Sequence, residues 1–340
     1  MRRFWRLGGA TLSLLSAVGI AACTSSAPDG SASWDGGATI ALHTGTSNSD
    51  KHAVIDTMIA GQSQSLLFDT GSVGISVLQD FVPASVKTLA GPSFEEEFGG
   101  GVVLSGKVVS APVSLPGVPT TKQISIRLVQ SASCSSQLPK CAAKGGLKSF
   151  STSIGADGIF GAGFWAESNL SSPLLQLSPA LPSSIAVHWD GGSGWVKLGA
   201  TTTTPSVATL QMPAANPATL PDGQPAWNNL GVPMCWKVAN AKRTCESTAL
   251  DTGASAMVLP VDFPGAPTSP VNRLPAGQTI SAAVTVEGPP FFTFKTGSTL
   301  GVDLVTAISN QSMVDSGIQL FGNFTVEFTP GDGSVRLFTP

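Results

Sequence analysis

Two short stretches of this 340-residue chain carry the same residue types in the same order. Residues Phe68–Ser72 read FDTGS, and residues Leu250–Ala254 read LDTGA, 182 positions later. A carboxylate on a tight turn is held by backbone and hydroxyl donors, and an adjacent Gly lets an amide approach it closely. If Asp69 and Asp251 meet, both cannot ionise at once, and they share a proton. One then takes a proton from water while the other donates to a substrate carbonyl, which is general acid and base catalysis without a metal.

A second shared pattern follows each motif at a distance. Residues Asp157–Gly161 read DGIFG and residues Ile318–Gly322 read IQLFG, so each stretch ends in two apolar residues and a Gly. Both halves therefore read as a strand, an Asp-Thr-Gly turn, intervening strands and an apolar-apolar-Gly segment. The candidate catalytic residues are Asp69 and Asp251, and the candidate supports of their loops are Thr70, Gly71, Ser72, Thr252 and Gly253.

The composition indicates a folded β protein and excludes other classes. Charged residues make up 11% of the chain, against about 25% in an ordinary soluble domain. This excludes a charged disordered tail and a nucleic-acid binder with a basic face. The 38 Gly and 25 Pro are spread without a period, which favours frequent turns between short strands. We expect an all-β protein of two lobes, residues 53–190 and 191–340.

The apolar runs are short and rich in branched and aromatic residues, which is typical of strands. The clearest predicted strands are Val54–Ile59, Leu66–Phe68, Val102–Val109, Ile124–Val129, Ile185–Val187, Val196–Leu198, Ala282–Val286 and Phe324–Phe328. The predicted helices are few and short, at Leu78–Val82, Pro173–Leu177 and Val302–Ile308.

The N-terminus has the features of a bacterial lipoprotein signal. Three Arg precede a run of apolar and small residues that closes at Cys23, so residues 1–22 are interpreted as a signal peptide. The alternative is an ordinary secretory signal with a coincidental Cys. Residues 23–52 are rich in small polar residues and are interpreted as a flexible tether. We expect an exported protein, anchored to a membrane through lipidated Cys23 on the periplasmic or cell-surface side.

The four remaining cysteines fall into two local pairs. Short spacing in an oxidising compartment favours the disulfides Cys134–Cys141 and Cys235–Cys245. A zinc site is the competing interpretation, but no His lies close to either pair in the sequence. We expect neither a metal nor a cofactor.

These motifs resemble those of the pepsin-like aspartic proteases over most of residues 53–340. The family's catalytic motifs match the two Asp-Thr-Gly stretches, and its two bracing segments match Ile159–Gly161 and Leu320–Gly322. The resemblance implies a bilobal fold, a polypeptide substrate and a monomer, with no nucleic acid partner. It also implies that Thr70 and Thr252 brace the two catalytic loops against each other. The pair Cys235–Cys245 resembles a disulfide that many members carry before the second motif.

The chain departs from the family pattern at three places. In the family, a hairpin called the flap, with a Tyr followed by Gly, covers the substrate. Here Phe98-Gly99-Gly100-Gly101 takes that place. The resemblance therefore implies that Phe98, Gly99 and Gly100 contact substrate. Ser76 replaces a family Trp that interacts with the flap. Ala254 replaces a hydroxyl residue that would bond ionised Asp251, so we expect a raised pKa there and a less acidic optimum than that of gastric members.

Two alternatives concern function, and a third interpretation concerns an acidic run. A duplicated fold can lose catalysis and become a peptide- or glycan-binding lipoprotein. A His-dependent hydrolase is the weaker alternative, because the chain has only three His and no G-x-S-x-G turn. The acidic run Glu95–Glu97 beside the flap is interpreted as a solvated face rather than a site.

Overall fold

A computed structural model of the chain describes residues 37–46, 52–118, 120–178, 180–266, 273–297, 305–308 and 311–340. The predicted signal peptide, Cys23 and residues 23–36 and 47–51 of the predicted tether lie outside the described residues. The expectations for these segments therefore stay predictions.

The described residues form 22 strands and four short helices, so the prediction of an all-β chain is confirmed. The strands are β1 (Ala38–Thr44), β2 (Ala53–Ile59), β3 (Gln62–Asp69), β4 (Val73–Leu78), β5 (Ser93–Glu97), β6 (Val102–Ser114), β7 (Thr121–Cys134), β8 (Gly158–Ala162), β9 (Ile185–Trp189), β10 (Ser193–Leu198), β11 (Ala208–Gln211), β12 (Ala214–Thr219), β13 (Pro225–Trp227), β14 (Val232–Val238), β15 (Thr244–Ala249), β16 (Met257–Pro260), β17 (Thr279–Ala283), β18 (Phe292–Lys295), β19 (Val305–Ile308), β20 (Val314–Asp315), β21 (Thr325–Phe328) and β22 (Ser334–Phe338). The helices are α1 (Ala84–Lys87), α2 (Leu147–Ile154), α3 (Pro173–Leu177) and α4 (Gln319–Asn323). Among these described helices, none has the length and apolar character needed to cross a membrane.

Most strands join two sheets. The larger has 13 strands in the order β11-β22-β21-β9-β10-β1-β2-β3-β8-β4-β7-β6-β5, and the smaller has seven in the order β18-β17-β14-β15-β20-β16-β19. Strands β12 and β13 pair separately. The lobe boundary predicted between residues 190 and 191 falls in the turn between β9 and β10, which pair with each other inside the larger sheet.

Part of the predicted tether belongs to the fold. Residues 38–44 form β1, which pairs with β10 on one side and β2 on the other. The side chains of Ile40 and Leu42 alternate into the core and are only 1% and 2% exposed. The prediction of a flexible tether as far as residue 52 is therefore wrong for β1, because these two apolar residues at a spacing of two bury one face of a strand.

The predicted strands all overlap observed ones, although β17 ends before Val284. The helix predicted at Pro173–Leu177 is confirmed as α3. The helix predicted at 78–82 is wrong: the chain leaves β4 in a turn, and α1 begins only after Pro83. The helix predicted at 302–308 is also wrong where it is described, since residues 305–308 form β19, with Val305 and Ala307 alternating inward.

The core holds the strands that lead to the two motifs. Its fully buried aromatic residues include Phe68, Phe160 and Trp236. The rings of Phe68 and Phe160 stack with their centroids 6.1 Å apart, across the paired strands β3 and β8. Burying a side chain of this size contributes about 1.5–3 kcal/mol. The strand that ends in Asp69 is thus fixed in the interior.

Two groups of three strands have the same arrangement. Strand β8 lies between β3, with which it is parallel, and β4, with which it is antiparallel. Strand β20 likewise lies between β15, in parallel, and β16, antiparallel. In each group, the outer strands precede and follow an Asp-Thr-Gly motif, so β8 and β20 occupy equivalent positions.

Both predicted disulfides are present and confirm the local pairing. Cys134–Cys141 closes the loop that follows β7. Cys235–Cys245 joins β14 to β15 at a position where the two residues are directly paired, and β15 leads into the second motif.

Candidate active site

The two motifs lie on loops whose ends are fixed by strands. Asp69 is the last residue of β3, and Asp251 follows the end of β15 by two residues. The carboxyl of each acid lies against the Gly of the opposite motif, and the two carboxyls are within hydrogen-bonding reach of each other, so the two motifs meet. The chain therefore brings together the two carboxyls that the sequence singled out.

The two threonines brace the loops against each other with near twofold symmetry. The hydroxyl of Thr70 donates to the Leu250 carbonyl at 2.6 Å and accepts from the Thr252 amide at 3.0 Å. The hydroxyl of Thr252 donates to the Phe68 carbonyl at 2.7 Å and accepts from the Thr70 amide at 3.0 Å. Both threonines are buried. Each loop thus satisfies backbone groups of the other, which fixes the separation of the acids.

The glycine of each motif makes room for the opposite carboxyl. A Cβ at Gly71 would lie 2.5 Å from the Asp251 carboxyl carbon, and a Cβ at Gly253 would lie 2.5 Å from Asp69 Oδ1. The same glycines hold the acid of their own motif: each amide donates to that acid's Oδ1 at 2.7 Å. No residue with a side chain fits either position without moving a carboxyl.

Burial and mutual repulsion oppose a doubly charged pair. Burial raises the pKa of Asp69 well above its ordinary value, and the charge of Asp251 adds to the rise, whereas bonds from Ser72 and Gly71 act in the opposite direction. Burial also raises the pKa of Asp251 to about 7, with the charge of Asp315 as the next cause. Such a coupled pair titrates as a unit and retains a proton from acidic pH to near neutrality.

The two acids differ in their outer hydrogen bond. Ser72 Oγ donates to Asp69 Oδ2 at 2.6 Å, and the equivalent residue of the second motif is Ala254, which has no hydroxyl. The rise in the pKa of Asp251 has the direction predicted from Ala254, but burial and Asp315 are its main causes.

The second bracing segment is not the one that the sequence pattern indicated. Residues 320–322 lie in α4, away from the strand that pairs with β15, so that expectation is wrong. The equivalent of Ile159-Phe160-Gly161 is Asp315-Ser316-Gly317. A Cβ at Gly161 would lie 2.7 Å from the Gly74 carbonyl oxygen, and one at Gly317 would lie 2.7 Å from the Ala256 carbonyl oxygen. Gly74 and Ala256 are each the fifth residue after the Asp of their motif.

Asp315 is a third carboxyl in the site, and motif reasoning missed it. It lines the same cleft as Asp69 and Asp251 and lies within hydrogen-bonding reach of Asp251. The amide of Gly317 donates to its Oδ1 at 2.9 Å. Burial raises the pKa of Asp315 to about 7. The only sequence signal was Gly317. The pattern of two apolar residues and a Gly could not identify this segment, because Asp315 stands where the first half has an apolar residue.

Asn229 is a second residue that sequence reasoning missed. Its side chain is fully buried, and its amide nitrogen donates to the Thr70 carbonyl at 2.8 Å. Its side-chain oxygen accepts from the Phe164 amide at 3.2 Å, and its carbonyl accepts from the Leu250 amide at 3.0 Å. Asn229 thus ties the loop of the first motif to the residue before Asp251.

The predicted flap residues reach the cleft. Residues 98–101 form the turn between β5 and β6, closed by bonds of 2.8 Å from the Phe98 amide to the Val102 carbonyl and from the Gly101 amide to the Phe98 carbonyl. Phe98, Gly99 and Gly100 line a cleft of about 460 Å³ together with both aspartates. Much of the remaining wall is apolar, with Leu67, Phe150, Ile154, Ile159, Val258 and Ile308.

A buried arginine links β5, the strand before the predicted flap, to the loop of the first motif. Arg127 on β7 is 3% exposed and lies 3.1 Å from Glu96 and 2.7 Å from Glu167. It also donates to the Val73 carbonyl at 2.9 Å. Burial raises the pKa of Glu96 to about 7, although the charge of Arg127 acts in the opposite direction. The prediction of a solvated face is thus wrong for Glu96, whose side chain turns inward to Arg127.

Ser76 is buried and pairs with Arg127 across β4 and β7. The signal for this arrangement was a lone Arg inside the apolar strand 124–129. Its two partners are distant in sequence, so no local pattern identified them.

Among the described residues, no group of three or more His, Cys, Asp or Glu side chains is arranged to hold a metal ion. Comparison with known proteins adds no assignment: no protein-family model matches the chain, and no curated protein matches it in sequence.

Proposed function

We propose that the chain is an aspartic endopeptidase with a bilobal, pepsin-like fold. The observation that carries the proposal is the approach of Asp69 and Asp251, each of which lies against the Gly of the opposite motif while the reciprocal bonds of Thr70 and Thr252 hold the two loops together. The equivalent strand groups around β8 and β20 support a duplicated fold. The apolar cleft beneath the flap is of a size that accommodates part of an extended peptide.

The mechanism follows from a pair that holds one proton. Each acid accepts a bond from the Gly amide of its own motif, but Asp69 also accepts one from the Ser72 hydroxyl, which Ala254 cannot supply to Asp251. This additional donor favours the negative form of Asp69, so we assign Asp69 as the general base and Asp251 as the acid. Asp69 takes a proton from a water molecule as the water oxygen attacks the peptide carbonyl carbon. Asp251 gives its proton to the carbonyl oxygen. The tetrahedral diol then collapses: the peptide nitrogen receives the proton held by Asp69, the C–N bond breaks, and a diol proton returns to Asp251.

The test uses an unfolded protein as substrate and mass spectrometry of the products between pH 3 and 7. We expect cleavage that a statine-containing peptide blocks, because that group imitates the tetrahedral diol. Replacement Asp69→Asn should reduce kcat by at least about 100-fold. Exposed Asp222→Asn is the matched control and should leave kcat unchanged. Tight binding of the statine peptide without cleavage by the wild-type chain would instead indicate a peptide-binding protein.

We also propose, from the sequence alone, that the chain is exported and anchored through a lipid on Cys23. Metabolic labelling with a fatty acid tests this directly. Label should enter the wild-type chain and be absent from Cys23→Ser, which should appear in the soluble fraction. Equal labelling of the two chains would contradict the anchor and leave the peptidase proposal untouched.

A further inference from the structure

Asp315 occupies a position that is apolar in the other half of the molecule. The ladders pair Leu67 with Ile159 in the first half and Ala249 with Asp315 in the second. Ile159 is 4% exposed and lines the cleft as a hydrocarbon side chain. Asp315 also lines the cleft, but its side chain is a carboxyl within hydrogen-bonding reach of Asp251.

The absence of a hydroxyl at Ala254 provides a reason for a carboxyl at position 315. Asp69 receives an outer hydrogen bond from Ser72 Oγ. Asp251 cannot receive one from Ala254, and its additional polar neighbour is Asp315. Relative to the first half, the second half thus has Asp315 in place of an apolar residue and Ala254 in place of a Ser.

We propose that Asp315 is a positioning residue that shares a proton with Asp251, so that the active site works as a unit of three carboxyls holding two protons. This inference rests on the proposed peptidase function. Two hydrogen bonds that join three carboxyls in a row require two protons, because each bond needs one protonated donor. The working state then carries one negative charge, the same as in a two-carboxyl site with one proton.

The groups around Asp315 favour retention of these protons. The strand β15 leads to Asp251, the first catalytic loop contributes Asp69, and β16 contributes the apolar Val258. His52 is a further titratable residue that lines the cleft. Among the described residues that line the cleft there is no Lys or Arg to stabilise a second negative charge. A third carboxyl therefore extends activity toward neutral pH, since like charges make each proton harder to remove.

The first experiment compares the pH profile of kcat for the wild-type chain and Asp315→Asn. The amide retains a hydrogen-bond donor and cannot ionise, so kcat at the optimum should stay within about threefold while the alkaline limb moves down by about one pH unit or more. Glu246→Gln removes an exposed carboxyl on the neighbouring strand β15 and should not move the limb. A profile of Asp315→Asn that superimposes on the wild type would overturn the inference.

The second experiment rebuilds the pattern of the first half. Asp315→Leu removes both the charge and the hydrogen bond, so kcat should fall by about 10-fold or more and the alkaline limb should again move to lower pH. Adding Ala254→Ser supplies the hydroxyl that Ser72 supplies to Asp69. The double variant should regain kcat while keeping the shifted limb, and a double variant no better than Asp315→Leu would contradict the inference.

Infrared difference spectroscopy separates this inference from the proposed function. It counts protonated carboxyls without any turnover, and Asp315→Asn should lose one that titrates near neutral pH. If the wild-type chain cleaves nothing but this loss is seen, the shared proton stands and the peptidase proposal fails. If the chain cleaves protein and neither the spectrum nor the pH profile responds to Asp315→Asn, the inference fails and the peptidase stands.

Discussion

Replacement of Thr252 by Val tests the reciprocal bonds between the catalytic loops. Val has nearly the shape of Thr but no hydroxyl, so the Phe68 carbonyl and the Thr70 amide each lose a buried partner. An unsatisfied buried group costs about 1–3 kcal/mol, so the free energy of unfolding should fall by about 2–6 kcal/mol. That is a large part of the roughly 5–15 kcal/mol that stabilises a typical domain.

Two other replacements calibrate this value. Thr252→Ser keeps the hydroxyl and loses one methyl group, so it should cost only about 0.5–1.5 kcal/mol. Thr57 is also fully buried, and its hydroxyl has no hydrogen-bond partner among the described residues. Thr57→Val should therefore change the free energy of unfolding by less than about 0.5 kcal/mol or raise it.

Urea unfolding followed by the fluorescence of the seven Trp residues measures all three variants. A peptidase assay on the same samples should rank the variants by loss of kcat in the same order as by loss of free energy of unfolding. Equal costs for Thr252→Val and Thr57→Val would refute the role of the hydroxyl bonds, because the two changes differ only in the partners that they remove.

Further predictions concern glycine, the buried arginine and pH. Gly71→Ala should abolish activity, because the added Cβ would overlap the Asp251 carboxyl. Gly99→Ala should be tolerated, because a Cβ there meets open space. Circular dichroism and measurement of kcat check both variants. Arg127→Met should destabilise the chain by about 3–5 kcal/mol because it leaves a buried carboxyl unpaired, whereas half-exposed Glu167→Gln should cost under about 1 kcal/mol in the same urea assay. Asp251, Asp315 and Glu96, whose pKa values are raised to about 7, hold protons that the unfolded chain releases near pH 4, so stability should fall as pH rises from 4 to 7. Asp315→Asn should flatten this fall in thermal melts, and an unchanged slope would contradict the assigned burial.

The parts of the site that lie within one motif could be predicted from sequence, because their hydrogen bonds form between residues close together in the chain. An Asp-Thr-Gly turn binds its own carboxylate through the Gly amide, and the repeat of that turn indicated a second loop like the first. The meeting of Asp69 and Asp251 followed from this duplication. Cysteine spacing was equally informative, since both short pairs form disulfides.

The rest depends on which strands become neighbours. Two apolar residues and a Gly form a short pattern, and it occurs in α4 as well as in β8, so the pattern alone selected the wrong second brace. Only the ladder between β15 and β20 identifies Asp315 as the counterpart of Ile159. The pairing of Arg127 with Glu96 and Glu167 likewise requires three distant segments to meet.

The loop closed by Cys134–Cys141 lies against the back of the flap. The Ser135 amide donates to the Gly101 carbonyl at 2.8 Å, and Val102 pairs with Cys134. A Cβ at Gly101 would lie 2.4 Å from Leu138, so the turn and the loop are in close contact. A polypeptide that lifts the turn to enter the cleft must therefore either break this bond or carry the crosslinked loop with it. If the chain is the peptidase proposed above, this turn and the crosslinked loop behind it form a lid of two layers, and a reducing agent that opens the outer layer should act on KM before it acts on kcat.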